Sequence, residues 1–151
     1  MTRAPIFSQR FAVPATAIDV QGHVSNLAYV GWMQDIAIAH STEVGWSMRR
    51  YLELGAGWVV RSHFIEYLRP AFADEQISAH TWVPRFDQRS TPRRYLFVRD
   101  GDRAVLAQAE TIWVFVDLAT GRRRSIPAEL LEAFDPVPEE REVRRSLGLA
   151  T

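Results

Sequence analysis

The sequence predicts an α+β fold in which an antiparallel sheet wraps one long buried helix. Two observations carry this. A single strong helical pattern covers residues 26–43, and most of the strand-like alternation lies after it, in four segments joined mostly as a meander. Strands segregated from a helix in this way bury a shared apolar face against it.

In chain order, residues 6–13 (IFSQRFAV) read as the first strand, closed by Pro14, whose missing N–H cannot continue a ladder. A polar, Gly-containing stretch fills 19–25. In 26–43 (NLAYVGWMQDIAIAHSTE), Leu27, Val30, Met33, Ile36, Ala37 and His40 recur at helical spacing. Tyr29, Trp32, Ile36 and Ile38 extend the apolar character to other faces, so this helix is expected to be largely buried. Ser25 or Asn26 supplies the N-cap, since either side chain accepts from the orphan N–H groups of the first turn. Gly45 ends the helix. Residues 47–54 (SMRRYLEL) read as a short second helix, stopped by Gly-Ala-Gly at 55–57. Residues 58–68 and 76–86 read as strands, the first cut by Pro70. Residues 93–99 and 103–117 flank Asp100-Gly101-Asp102, and Asp-Gly between two strands signals a hairpin. Residues 126–134 read as a short helix with Pro127 near its first turn. The charged tail 136–151 is expected to be partly flexible. With no repeat or linker, residues 1–151 read as one domain, a size that buries roughly 70% of the unfolded chain's surface.

Composition removes whole classes of chemistry. The apolar fraction of 47% fits a globular chain and argues against disorder. Net charge is zero, so no global positive field exists to hold nucleic acid. All 18 basic residues are Arg, which removes a Lys nucleophile, a Schiff base and a P-loop lysine. The absence of Cys removes thiol nucleophiles, disulfides and Cys-based zinc sites. His23, His40, His63 and His80 lie 17 or more residues apart with no HExxH-type spacing, so no metal site is expected. GxSxG, GxGxxG and P-loop patterns are missing. No apolar run approaches the ~20 residues of a membrane span, and MTRAPIFSQR lacks the apolar core of a secretory leader. A cytoplasmic protein with no membrane or nucleic-acid partner is therefore expected. Five Trp and eight Phe leave apolar surface for a subunit interface or a ligand pocket.

What remains is the stretch 19–26, DVQGHVSN, just before the long helix. A carboxylate there feels the positive end of the helix and its exposed N–H groups. The same donors can polarise an acyl carbonyl and hold a developing oxyanion. The Asp19 carboxylate can attack that carbonyl or deprotonate a water that does. Gly22 lets the backbone approach a ligand closely. Spacing alone equally describes an Asx turn followed by a helix cap, and such turns are the commoner outcome.

The stretch DVQGHVSNLAYVGWMQDI resembles the signature of hotdog-fold acyl-CoA thioesterases, the 4-hydroxybenzoyl-CoA thioesterase-like superfamily. Members show Asp-x-x-Gly-His-Val-x-Asn and then a Tyr three residues on. Here these are Asp19, Gly22, His23, Val24, Asn26 and Tyr29. Residues 65–77 (IEYLRPAFADEQI) are similar to the family's strand, Pro turn and acidic corner. Residues 107–130 are similar to its last long strand and closing segment. The resemblance implies a hotdog fold, a sheet of five or six antiparallel strands around the central helix. It implies a homodimer with active sites at its interface, and a dimer-of-dimers homotetramer. It also implies hydrolysis of an acyl-CoA, or of an acyl carrier protein thioester, with no cofactor beyond the CoA of the substrate. The family's catalytic carboxylate falls on Asp19. The resemblance assigns the oxyanion hole to backbone N–H groups near the motif or near a neighbouring Gly, with Gly57 and Trp58 as candidates.

Other residues have a bland reading beside the functional one. His23 is a partner of Asp19 or substrate, or a structural His whose backbone N–H matters more than its ring. Asn26 is a helix cap before it is a catalytic group, and Tyr29 lines an acyl pocket or packs in the core. His63 and Glu66 share a strand, and Glu43 sits late in the helix. Arg89, Ser90, Thr91, Arg93 and Arg94 form one candidate CoA-phosphate patch and Arg122–Arg124 another, against a background of solvated loop charges. Trp32, Trp58, Trp82 and Trp113 shape an aromatic or medium-chain pocket or belong to the core. Hydration or dehydration of acyl thioesters, and non-catalytic acyl-CoA binding, stay open as alternatives.

Overall fold

The computed structural model describes residues 5–151, so the leader reading of the first residues lies partly outside it. Helix α1 (Asn26–Glu43) has the bounds the spacing predicts. Ser25 is the cap: its Oγ accepts from the Leu27 N–H at 3.1 Å and its carbonyl from the Ala28 N–H at 3.1 Å. The chain leaves the helix through Gly45 at φ 98°, a conformation that side chains resist. Tyr29, Met33, Ile36, Ala37, His40 and Ser41 form the buried stripe. Burial is narrower than expected, because Leu27 remains 81% exposed and Ile38 is also exposed.

The sheet contains β1 (Ile6–Ala12), β2 (Ala56–Tyr67), β3 (Gln76–Trp82), β4 (Ser90–Arg99) and β5 (Val105–Asp117), in the spatial order β1-β3-β4-β5-β2. All pairs are antiparallel. β3, β4 and β5 form the expected meander. β2 does not join it beside β3; it pairs with β5 at the far edge, and β1 takes the place next to β3. The connection from β2 to β3 must cross three strand spacings, about 14 Å, which a tight turn cannot span. Residues 68–75 make that crossing. The Leu68 and Arg69 N–H groups donate to the Leu106 carbonyl, and Arg99 donates to the Pro70 carbonyl at 3.1 Å.

The β4–β5 hairpin also differs from a two-residue turn. The Arg103 N–H donates to the Arg99 carbonyl, and Arg103, not Gly101, adopts the left-handed conformation (φ 62°). Asp102 explains the wider loop. Its carboxylate accepts from Arg99 at 3.0 Å through both oxygens and from the Ala104 N–H at 3.1 Å.

β4 is buried on both faces. Tyr95 and Phe97 pack with Met33, Ile36, Ile77 and Ala109 on the α1 side. Leu96 and Val98 pack on the other side with Trp82, Val143 and Leu149. The segment after Pro136, expected to be partly flexible, thus carries helix α4 (Glu140–Ser146) across the back of the sheet. A third cluster joins Phe115 to Tyr51 of α2 (Met48–Leu54) and to Leu130 of α3 (Ala128–Ala133). No helix among the described residues is long and apolar enough to cross a membrane.

Candidate active site

The motif folds into a closed turn ahead of α1. The Asp19 N–H donates to the His23 carbonyl and the Gly22 N–H to the Asp19 carbonyl, both at 3.0 Å. Gly22 makes the reversal at φ 85°. Asp19 Oδ1 accepts from the Gln21 N–H at 2.9 Å, the Asx-turn bond that spacing alone suggests. Oδ2 has no hydrogen-bond partner among the described residues, and Asp19 is only half-buried. The turn is fixed to the β2–β3 connection by Val24, which is buried and donates its N–H to the Ala71 carbonyl at 2.9 Å. The backbone N–H groups of His23 and Asn26 donate to no acceptor among the described residues. The motif therefore presents a carboxylate oxygen and spare backbone donors at the positive end of α1.

The neighbouring candidates divide around this turn. The His23 ring stays local, with Nδ1 3.3 Å from the Val24 carbonyl. Asn26 is exposed and is not the cap; its carbonyl accepts from the Tyr67 hydroxyl at 3.1 Å. Tyr29 lies in the core against Phe97 and Trp32. Burial, with Tyr67 nearby, pushes its hydroxyl up to about 12.

A cavity of about 230 Å³ lies elsewhere, under the C-terminal half of α1. Gly57 and Trp58 line it, with Ser41, Tyr51, Arg93 and Phe134. Its α1 residues run from Gln34 to Ser41, about 12–22 Å along the helix from Asn26. Within one protomer, then, Gly57 and Trp58 do not meet Asp19. β2 is the last strand of the sheet, so alternate N–H groups along it face away from β5. Trp58 donates its Nε1–H to the Tyr51 hydroxyl at 3.0 Å, and Tyr51 also bonds Ser41 at 2.9 Å. Burial raises the Tyr51 pKa, opposed by these two hydrogen bonds.

The arginines expected to form one phosphate patch are dispersed. Arg89 is exposed. Ser90 opens β4, and the Thr91 hydroxyl is buried and donates to the Arg85 carbonyl at 2.8 Å. Arg93 turns inward and lines the cavity, whereas Arg94 points to the opposite face and pairs with Glu110 at 2.9 Å. Two consecutive strand residues cannot share a face. Arg122 and Arg123 are exposed, while Arg124 lies over the Phe115 ring. His63 bonds Thr111 across the strands at 2.7 Å, its pKa lowered by burial, and Glu66 accepts from Gln108. Glu43 is exposed at the end of α1. Of the four Trp residues, Trp58 and Trp113 line the cavity, Trp32 packs on Phe11 and Trp82 on the back of the sheet. Ser41, Trp46 and Tyr51 had no motif to mark them; their adjacency arises only when α2 folds against α1.

Comparison with known proteins agrees with this architecture. A family model described as thioesterase-like superfamily matches residues 13–134. None of the curated proteins matches the sequence. A hypothetical protein of known structure from Aquifex aeolicus superposes with a TM-score of 0.79 at 22% identity, over 85% of this chain and 99% of that one. A 1,4-dihydroxy-2-naphthoyl-CoA thioesterase from Synechocystis gives 0.78 at 15% identity, over 85% and 94%. A Staphylococcus aureus hypothetical protein, solved in complex with CoA, gives 0.81 at 12% identity, over 100% and 90%. A five-stranded antiparallel sheet packed on α1, and a family match spanning most of the chain, place this protein in the thioesterase-like superfamily, as a thioester hydrolase with the hotdog fold.

Proposed function

We propose that this protein hydrolyses an acyl-CoA thioester to a free acid and CoA, with Asp19 as its catalytic carboxylate. The observation that carries the reading is the Asp19 turn just ahead of α1, where Oδ2 and the His23 and Asn26 N–H groups have no hydrogen-bond partner among the described residues. In the reaction, Asp19 removes a proton from water as its oxygen adds to the thioester carbonyl, or Oδ2 adds directly. The carbonyl oxygen becomes an oxyanion held by backbone N–H groups. The C–S bond then breaks, and CoA leaves as a thiolate that takes up a proton. By the direct route, water subsequently hydrolyses the acyl–Asp19 anhydride.

The separation of Asp19 from Gly57 and Trp58 supports a site shared between two protomers, with the Asp19 turn of one facing the start of β2 of the other. β2 is an uncovered edge strand, and Val59, Val60, Phe64 and Tyr67 on it are exposed apolar residues. Such an edge invites pairing with a second copy. A homodimer, and a tetramer of two dimers, follow as the proposed assembly.

Thiol release from a panel of acyl-CoAs tests the chemistry. Asp19→Asn and Asp19→Ala are expected to lower kcat at least ~100-fold with unchanged melting behaviour, by analogy with other acid–base groups. Unchanged turnover in both variants would remove Asp19 from the reaction. An enoyl-CoA assayed alongside separates hydrolysis from hydration.

A further inference from the structure

The cavity under α1 holds a charge that no carboxylate among the described residues neutralises. Arg93 sits in the middle of β4 and is 5% exposed. Its Nη1 donates to His40 Nδ1 at 2.8 Å and to Thr81 Oγ1 at 3.1 Å. Its Nε and Nη2 make no hydrogen bond among the described residues, and no carboxylate forms an ion pair with it. A buried guanidinium is costly unless an anion or several acceptors surround it. Burial accordingly lowers its pKa.

The other polar groups on the cavity wall do not compensate. The Ser41 hydroxyl donates to the Trp46 carbonyl at 2.7 Å and bonds Tyr51, and the Thr91 hydroxyl donates to Arg85. The indole N–H of Trp46, which also lines the cavity, has no acceptor among the described residues. The spare hydrogen-bonding capacity of the interior wall is therefore on the donor side. The rest of the wall is apolar, including Phe86 and Phe134, and the exposed Met48, Leu52 and Leu118 stand where it meets solvent. At about 230 Å³ the cavity is smaller than the ~300–1,000 Å³ of drug-sized sites, which suits an acyl group but not a whole acyl-CoA.

Building on the thioesterase reading, we infer that this cavity receives the acyl part of the substrate, and that this acyl group ends in a carboxylate paired with Arg93. The class is the ω-carboxyacyl thioesters, monothioesters of dicarboxylic acids. The methylene chain lies along the aromatic wall, and the distal carboxylate accepts from Nε and Nη2 in the two-pronged geometry that guanidinium favours. Arg93 is then a specificity residue, remote from the bond that breaks.

The test compares kcat/KM for glutaryl-CoA and adipyl-CoA with pentanoyl-CoA and hexanoyl-CoA, and adds 4-hydroxybenzoyl-CoA. The expected result is at least a tenfold preference for the ω-carboxy member of each pair. Arg93→Gln is expected to remove that preference, lowering kcat/KM for the ω-carboxy member of each pair at least tenfold more than for its alkyl counterpart, and Arg93→Lys to restore part of it. Equal use of both members, preference for hexanoyl- or 4-hydroxybenzoyl-CoA, or an equal loss on all substrates in Arg93→Gln would overturn the inference. Should Arg93→Gln fail to fold, wild-type tryptophan fluorescence titrated with adipate and with hexanoate gives an independent readout. Tighter binding of adipate supports the inference, and no difference overturns it. Adipate binding without turnover of any thioester would keep the Arg93 site and defeat the hydrolysis reading. Turnover with no carboxylate preference would do the reverse.

Discussion

Single positions here owe their chemistry to which side of a strand or helix they face. Arg93 and Arg94 are adjacent, yet one is sealed inside the protein and the other meets Glu110 in partial solvent. Tyr29 shows the same effect on ionisation. Its hydroxyl is buried without a hydrogen-bond partner among the described residues, and burial is the main reason its pKa rises to about 12. The sign is fixed by linkage. The folded value exceeds the ordinary tyrosine value of 10.0, so this contribution to stability is complete below pH 10 and is lost as pH rises through about 12. The shift corresponds to about 2–3 kcal/mol. Tyr29→Phe is expected to change stability at neutral pH by no more than about 1 kcal/mol, since no hydrogen bond is lost. It should also reduce the fall in urea midpoint above pH 10. Tyr51, Tyr67 and Tyr95 are shifted upward too, so part of the fall should persist. An identical alkaline slope in wild type and variant would contradict this account.

Among the elements, β4 and α4 depend on one another. Leu96 and Val98 would face water if the C-terminal segment were absent, because alternate residues of a strand face opposite sides. Val143, fully buried, is the contact from α4 that covers them, and Leu149 adds a second. Of the charges that made this segment look flexible, Arg141, Glu142 and Arg145 are exposed, while Arg144 pairs with Glu140 at 3.2 Å one helical turn away and donates to Gln108 of β5 at 3.0 Å. Val143→Asp places an unpaired carboxylate in this contact. We expect it to lower the melting temperature and raise binding of a hydrophobic dye, with the Asp19 turn intact. Wild-type dye binding and an unshifted transition would show that α4 does not seal the sheet.

At the scale of the whole molecule, the spatial order of strands decides what the protein can do alone. Placing β2 at the edge puts Gly57 and Trp58 at the cavity end of α1 and leaves Asp19 at the other. A shared site between two copies would reunite them, and the apolar surface of β2 is where those copies would meet. Phe64 is 65% exposed on that strand. Phe64→Asp is expected to yield a monomer by analytical ultracentrifugation and to lose most turnover, although Asp19 is untouched. A fully active monomeric variant would refute the shared site, and a wild-type monomer would refute the assembly.

Much of this was legible from local chemistry. Helical spacing, Ser25 and Gly45 set the limits of α1, because periodicity and capping act within a few residues. The turn at Asp19 was equally visible, since an Asx bond spans two positions. By itself that turn was ambiguous between a cap and a catalytic carboxylate, and the likeness of the surrounding sequence to a family pointed to the second. Strand order, the covering of β4 by α4, and the inward course of Arg93 were not local facts. They depend on contacts between segments far apart in sequence: Arg93 with His40, and Leu96 with Val143. The alternation of β4 puts Arg93 on the face of Tyr95 and Phe97, a face that only the packing of α1 and α2 makes the wall of a cavity, whereas the sequence reading grouped Arg93 with Arg94 in a phosphate patch. The sequence by itself thus determined the elements and the Asp19 turn. The tertiary structure decided which surfaces they enclose, because enclosure is a property of several segments at once.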